Sequence, residues 1–179
     1  LNYLNNADIK FISEVSTYHG NKKTKVPALL AISRDEMGQV NNVQVIRLDK
    51  QTANKDKASN IVKQTYGSMN GRYVELNKNH KGNEVFVTEG VETGLSILEC
   101  NRDARVITTL GKSNFANICL DELPQKIIFC VDNDGKSLHE DNVIINAVKR
   151  AEMAGKIASI IIPKKEGDDL NDVLIKEGT

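Results

Sequence analysis

The sequence of 179 residues contains no tryptophan, four phenylalanines, four tyrosines and three prolines. So few aromatic side chains argue against a protein that binds single strands mainly by base stacking. The formal net charge is zero, so no overall basic field points to a polyanionic partner. No apolar run reaches membrane-spanning length, and no signal peptide stands ahead of the first amphipathic segment. We therefore expect a cytosolic protein that does not bind a membrane.

The three cysteines, Cys100, Cys119 and Cys130, have no CxxC spacing. Structural zinc sites use cysteine and histidine ligands at short, regular spacing, so no zinc site is expected. We interpret all three cysteines as reduced, buried thiols, because two of them stand in apolar runs.

Charge is distributed unevenly along the chain. Residues 1–80 contain 12 basic and 7 acidic side chains, whereas residues 81–179 contain 12 and 17. The stretch 77–84 has no apolar residue and is the best candidate for a boundary. We therefore predict a small α+β subdomain at 1–80 and a catalytic domain at 81–179. A basic part beside an acidic part suits a metal site that works on a phosphate backbone.

Residues 1–80 carry weak secondary-structure patterns. Scattered apolar residues in 1–18 predict a short helix with an irregular exit. Two β-like runs separated by a turn at Gly38 predict a hairpin over 27–49. The polar, lysine-rich segment 50–72 predicts an exposed loop with one helical turn, followed by a short strand at 72–76.

Beyond residue 81, apolar strands alternate with helical patterns. This alternation predicts an α/β fold with a parallel sheet and crossover helices. In such a sheet, active groups gather outside the carboxyl ends of the strands. The predicted strands are EVFVTEG, ARVITTLG, KIIFCVDNDG and KIASIIIP, and the helices are VETGLSILEC, a short SNFANICLDEL and HEDNVIINAVKRAEMAG.

Acidic side chains follow three of these strands. Glu89 ends the first strand, and Asp132 and Asp134 follow the third. Side chains of an extended chain repeat every two residues, so Asp132 and Asp134 present their oxygens to one hard cation. Mg²⁺, or Mn²⁺ in its place, takes one or two carboxylates together with substrate phosphate oxygens, which leaves Glu89 to bind a second ion or to move a proton. A third cluster follows the last strand and consists of Asp168, Asp169 and Asp172.

Each acidic cluster also has a plainer interpretation. DNDG is a strong turn sequence, and GDDLND suits the N-terminal cap of a helix. GKS occurs at 111–113 and 135–137 without the earlier glycine of a phosphate-binding P-loop, so neither is interpreted as a nucleotide site. The joint placement of the acids at strand ends favours a metal site over three separate turns and caps.

Two motifs, TEGVETGLSIL and FCVDNDG, resemble the Glu and the DxD of the Toprim domain shared by bacterial-type primases, topoisomerases and some nucleases. GDDLNDVL resembles the acidic segment that ends this domain in phage and plasmid primase-helicases. The N-terminal half resembles, less specifically, the segment ahead of Toprim in mobile-element primases and conjugative transfer proteins. The resemblance implies a Rossmann-like parallel sheet flanked by helices.

The resemblance also implies a role for each matched residue. Glu89 would be the general acid or base as well as a metal ligand. The other residues implied are the Mg²⁺ ligands Asp132, Asp134 and Asp169, the accessory acids Asp168 and Asp172, and the nucleic-acid or nucleotide contacts Lys57 and Lys63.

The function that the resemblance implies is primer synthesis on single-stranded DNA from nucleoside triphosphates, by two-metal phosphoryl transfer in replication or plasmid conjugation. Primases of this type carry a Cys-rich zinc module that selects the template, and without one, priming by this chain alone is not expected. The chain begins at Leu1 rather than Met, so we expect a piece of a longer polypeptide with helicase or relaxase domains. Nuclease or topoisomerase-like strand scission and a non-catalytic DNA-binding module stay open as alternatives.

Overall fold

The computed structural model describes residues 8–69 and 71–177. They form two compact units, an N-terminal unit Asp8–Ser68 and a C-terminal unit that starts at Met69. The sequence suggested a division at 80/81 instead. The division falls earlier because Val74–Glu75 forms a strand that pairs with a strand of the C-terminal unit. No helix of the described residues is long and apolar enough to cross a membrane.

The N-terminal unit contains an antiparallel sheet of four strands in the order β1-β2-β3-β4. The predicted hairpin is confirmed, since β2 pairs with β3 from Ala28 opposite Arg47 to Arg34 opposite Val40. The alternation of apolar and polar side chains therefore located these two strands correctly. The four strands are β1 (Ile9–His19), β2 (Lys22–Arg34), β3 (Val40–Arg47) and β4 (Lys63–Gly67).

Two secondary-structure predictions for the N-terminal unit are wrong. Residues 9–18 lie in β1 rather than in a helix, because their β-branched and aromatic side chains pair with β2 along most of the strand. Of the rest of that predicted helix, Asp8 forms a bend and residues 1–7 lie outside the described residues. Within 50–72, Lys63–Gly67 forms β4, which the prediction of a loop missed. The described residues of this segment contain no helix, but one turn closes where the N–H of Ala53 donates to Asp49 O (3.0 Å).

The C-terminal unit contains a five-stranded sheet in the order β5-β7-β6-β8-β9. The edge strand β5 runs antiparallel to β7, and all other pairs are parallel. The predicted α/β fold with a parallel sheet is therefore confirmed. Its strands are β5 (Val74–Glu75), β6 (Glu84–Thr88), β7 (Arg105–Thr108), β8 (Lys126–Cys130) and β9 (Ile157–Ile161), and its helices are α1 (Val91–Cys100), a 3-10 helix (Lys112–Asn117), α2 (Asn142–Met153) and α3 (Leu170–Glu177).

Helices cover both faces of this sheet. On one face α1 packs so closely that a β-carbon at Gly94 would overlap Leu76 and press on Thr88. On the other face a buried core joins the sheet to α2 and the 3-10 helix. This core includes Val85, Val87, Ile107, Ile127 and Phe129 from the sheet, Phe115 from the 3-10 helix, and Ile144, Ala147 and Ala151 from α2.

The strand order places β6 between β7 and β8, so the chain moves from one side of β6 to the other after β7. Such a reversal opens a crevice at the carboxyl ends of the central strands. Cys130 is buried and Cys119 is half-buried, but Cys100 ends α1 and is exposed, so the prediction of three buried thiols is wrong for Cys100.

Candidate active site

Glu89 and Asp132 meet at the carboxyl edge of the parallel sheet. Glu89 directly follows β6, and Asp132 lies two residues beyond the end of the neighbouring β8. The backbone N–H of Asp132 donates a hydrogen bond to the Glu89 carboxylate. The sheet thus brings together two of the acids singled out in the sequence, because parallel neighbours end at the same edge.

The Glu89 side chain is half-buried, and its Oε1 atom is shielded from solvent. Within the described part of the chain, no donor lies within hydrogen-bonding distance of this oxygen. Burial raises the pKa of Glu89 to about 7, with the negative charges of Asp132 and Asp134 adding to the rise against Lys112 and the Asp132 N–H. Glu89 therefore exchanges its proton near neutral pH, which is the property of a general acid or base.

Lys112 is the first residue of the 3-10 helix that follows β7, and its side chain lies in the acidic site. Its Nζ lies 2.8 Å from Asp134 Oδ2 and 2.8 Å from Asp141 Oδ2. Burial lowers the pKa of Lys112, but hydrogen bonds and the charges of the two carboxylates outweigh burial and raise it. The ammonium is therefore a permanent positive charge within the acidic site.

Lys112 and Asp141 are functional residues that the sequence patterns did not indicate. The GKS at 111–113 lacks the spacing of a P-loop, and nothing else in the motif marks Lys112. Its position after β7, at the same sheet edge as Glu89, was the signal that could have identified the lysine. Asp141 was read only as part of a helix, and no feature of the sequence distinguished it from an ordinary cap.

Asn133, the middle residue of the DxD motif, holds two loops together. Its N–H donates to Asp168 O (3.0 Å), and its side-chain Nδ2 donates to Pro163 O (2.9 Å). Its carbonyl accepts from the N–H of Gly167 (2.7 Å). The loop after β9 is thereby fixed beside the loop after β8, which no feature of the sequence had indicated.

The third acidic cluster is engaged in local contacts. Asp168 Oδ1 lies 2.6 Å from Lys176 Nζ. The N–H of Asp172 donates to Asp169 Oδ1 (2.8 Å), and the N–H of Asp169 donates to Asp172 Oδ2 (3.1 Å). This reciprocal pair is a capping box at the start of α3. Asp169 and Asp172 therefore make the helix-cap contacts that the plainer interpretation of GDDLND predicts.

The described residues contain no group of three His, Cys, Asp or Glu side chains that could hold a metal ion. The four predicted ligands are therefore not gathered as one set, since Asp134 is paired with Lys112 and Asp169 caps a helix. The pair Glu89 and Asp132 nevertheless fits Mg²⁺, which binds proteins through one or two carboxylates and retains water. The shielded Glu89 Oε1, which has no hydrogen-bond donor in the described part of the chain, is an oxygen that would bind such an ion.

The predicted nucleic-acid contacts Lys57 and Lys63 lie in the N-terminal unit. Lys57 is exposed in the loop after Asp56, and Lys63 is exposed at the start of β4. Both side chains therefore face solvent, as a phosphate contact requires, and their role stays a prediction.

Comparison with known protein families gives one match to the chain. A family model described as a Toprim domain matches residues 84–179. The matched segment begins with β6 and contains Glu89, the two aspartates of the DxD motif and the cap of α3. A comparison with curated proteins finds no match.

Solved structures of primases share the fold. The primase fragment of the bacteriophage T7 primase-helicase is 20% identical, with a TM-score of 0.54 over 86% of this chain and 60% of that one. The Escherichia coli primase catalytic core is 15% identical, with a TM-score of 0.60 over 94% and 54%. A DnaG primase catalytic domain bound to single-stranded DNA is 16% identical, with a TM-score of 0.61 over 91% and 54%. The chain therefore spans between half and two thirds of the length of these structures.

Proposed function

The chain belongs to the Toprim domain family, and from this premise we propose that its acidic site catalyses Mg²⁺-dependent nucleotidyl transfer of the DNA primase type. The observation that supports this most strongly is the half-buried Glu89 carboxylate beside Asp132, at the carboxyl ends of adjacent strands. A pKa of about 7 suits a group that accepts a proton from a hydroxyl at neutral pH.

In the proposed reaction, the 3′-oxygen of a growing primer attacks the α-phosphorus of a nucleoside triphosphate. The bond from the α-phosphorus to its bridging oxygen breaks, and pyrophosphate leaves. Glu89 accepts the proton of the 3′-hydroxyl through the carboxylate that faces Asp132. Glu89 and Asp132 would hold the Mg²⁺ ion, which supplies positive charge to the phosphate oxygens.

The substrates and partners are proposed from the solved structures. One similar structure contains single-stranded DNA, and another is a fragment of a primase-helicase. We therefore propose a single-stranded DNA template, nucleoside triphosphates, and a helicase or relaxase domain in the parent polypeptide. Lys57 and Lys63 would contact template or nucleotide phosphates. The mobile-element setting, the use of Mn²⁺ and the cytosolic location remain proposals from the sequence.

Primer extension tests the proposed function, because priming by this chain alone is not expected. The chain is incubated with single-stranded DNA carrying a short annealed primer, labelled nucleoside triphosphates and Mg²⁺ or Mn²⁺, beside Glu89→Gln and Asp132→Asn variants. Glu152→Gln and Asp121→Asn, which change exposed acids that are not among the predicted site residues, are the matched controls. We expect labelled oligomers from the wild type and both controls, and none from the two site variants.

Other outcomes separate the alternative functions. If the wild type shortens the template and the Glu89→Gln and Asp132→Asn variants do not, the site has nuclease activity rather than primase activity. Equal behaviour of the wild type and the site variants would contradict a catalytic role for this site.

A further inference from the structure

Lys112 stands between two carboxylates of the acidic site in a restrained position. Its ammonium lies 2.8 Å from both Asp134 Oδ2 and Asp141 Oδ2. The Lys112 side chain is 18% exposed and Asp141 is 11% exposed, whereas Asp134 is 55% exposed. The Lys112 ammonium thus contacts a largely buried carboxylate, Asp141, and a solvent-exposed carboxylate, Asp134.

The loop that carries Lys112 has an unusual backbone. Leu110 has a φ of 56°, in the left-handed region that non-glycine residues rarely adopt, and Gly111 has a φ of 150°. Thr109 Oγ1 donates to Gly111 O (2.9 Å), and Asn114 Nδ2 donates to Thr109 O (2.9 Å). Such a conformation persists only where surrounding contacts enforce it, so the loop is fixed in the form that delivers Lys112.

Asp141 is equally fixed. Its Oδ1 accepts from the N–H of Val143 (3.1 Å) and from the N–H of Ile144 (3.4 Å), which makes it the N-cap of α2. Its other oxygen, Oδ2, is left to bind Lys112. One carboxylate therefore anchors both the start of a helix and the lysine, so the ammonium has a defined place in the site.

A divalent ion at Asp134 would have to displace this ammonium. The lysine ammonium is a compact charge with three N–H donors, which can bond two carboxylates. Because it is part of the chain, it does not exchange with the bulk solution as a metal ion does. Like charges close together repel strongly in a partly buried site, so the ammonium and a second divalent ion would not share Asp134. Glu89 and Asp132 are the other two acids of this edge, directly after β6 and two residues beyond β8.

We propose that Lys112 is a resident cation of the Toprim site: it occupies Asp134 and Asp141, so the site takes one divalent ion at Glu89 and Asp132 instead of two. Lys112 is thus a positioning residue for Asp134 and supplies the charge that a second ion would supply. This inference rests on the proposed metal-dependent function of the same site.

The number of bound ions tests the proposal. Mn²⁺ is titrated into the full chain, and free Mn²⁺ is measured by electron paramagnetic resonance for the wild type, Lys112→Met and the charge-retaining control Lys112→Arg. We expect Lys112→Met to bind one more Mn²⁺ per chain than the wild type, and Lys112→Arg to match the wild type. Equal counts for the wild type and Lys112→Met would overturn the proposal.

A second pair of variants keeps the test decisive if Lys112→Met does not fold. Asp134 is more than half exposed, so Asp134→Asn leaves the buried structure intact. We expect Asp134→Asn to retain the wild-type Mn²⁺ count with affinity within about threefold, since only a screened charge is lost. Asp132→Asn should abolish binding. Loss of the ion in Asp134→Asn would make Asp134 a ligand and overturn the proposal.

The proposed function fails differently. If the wild type binds no Mn²⁺ at all, metal-dependent catalysis by this site is contradicted. The difference between Lys112→Met and the wild type still decides whether Lys112 excludes an ion from Asp134 and Asp141.

Discussion

At the scale of single residues, folding disfavours the ionised form of the Glu89 carboxyl group. Its pKa rises from an ordinary 4.5 to about 7, first through burial and then through the charge of Asp132. Between pH 4.5 and about pH 7, Glu89 is largely deprotonated in the unfolded chain but still largely protonated in the folded chain. The folded state therefore loses stability as the pH rises through this window, and the loss is complete above pH 7.

We expect Glu89→Gln to stabilise the metal-free chain at pH 8 by about 1–2 kcal/mol, and by less than half as much at pH 5. The size allows for solvent screening of a half-buried group. Denaturant unfolding at the two pH values measures the difference, with Glu152→Gln as the exposed control. A stabilisation of the same size at both pH values would show that Glu89 keeps an ordinary pKa.

Asp56 is the corresponding buried acid of the N-terminal unit. Its side chain is 3% exposed, and its Oδ2 pairs with His19 Nε2 (2.7 Å) and accepts from Ser59 Oγ (2.6 Å). Asp56→Ala leaves these donors without their acceptor, so we expect a loss of about 2 kcal/mol in the free energy of unfolding. Asp121→Ala, at an exposed position, serves as the control. A loss no larger than that of the control would mean that Asp56 does not hold the loop between β3 and β4 to His19 of β1.

At the scale of secondary-structure elements, α1 depends on close contact with the sheet. A β-carbon at Gly94 would lie 2.3 Å from Leu76 Cδ1 and 3.1 Å from Thr88 Oγ1. We expect Gly94→Ala to destabilise the chain by about 1–2 kcal/mol, although alanine favours a helix over glycine by about 1 kcal/mol. Gly82→Ala, whose β-carbon would have its nearest neighbour at 3.7 Å, should change the melting temperature little. An unchanged melting temperature for Gly94→Ala would show that α1 packs less tightly.

Variants of Asp169, at the start of α3, distinguish a helix-cap role from a metal-ligand role for this residue. As the N-cap, Asp169 accepts from the N–H of Asp172, so Asp169→Ala should cost about 1 kcal/mol and Asp169→Ser much less. Serine preserves a cap but is a poor ligand for Mg²⁺. Unfolding and Mn²⁺ titration of both variants separate the roles. A loss of Mn²⁺ affinity in Asp169→Ser at normal stability would establish the ligand role predicted from the sequence.

At the scale of the whole molecule, the C-terminal half was predictable because its signals are strong. Apolar strands alternating with amphipathic helices define a parallel sheet, and the ends of such strands locate Glu89 and Asp132 without further information. The N-terminal half was not, since β1 contains polar residues at irregular intervals and becomes a strand only by pairing with β2. Its structure depends on a partner distant in the sequence.

The contacts that shape the acidic site were the least predictable. Lys112, which pairs with Asp134, directly follows Leu110 and Gly111, and both of these residues have positive φ angles. The leucine at position 110 gives no indication of this backbone conformation in the sequence. Asn133 holds the neighbouring loop through its backbone and side chain, yet in the sequence it is only the variable position of a DxD motif. Residue types and spacing locate the acids, but their neighbours follow from the loop geometry.

Anomalous diffraction from Mn²⁺ in crystals of the wild-type chain locates the bound ions and shows whether Lys112 keeps its place. We expect a single peak within coordination distance of the Glu89 and Asp132 carboxylates, with Lys112 still between Asp134 and Asp141. A peak centred on Asp134 with Lys112 displaced, or no peak near Glu89 at saturating Mn²⁺, would contradict this expectation.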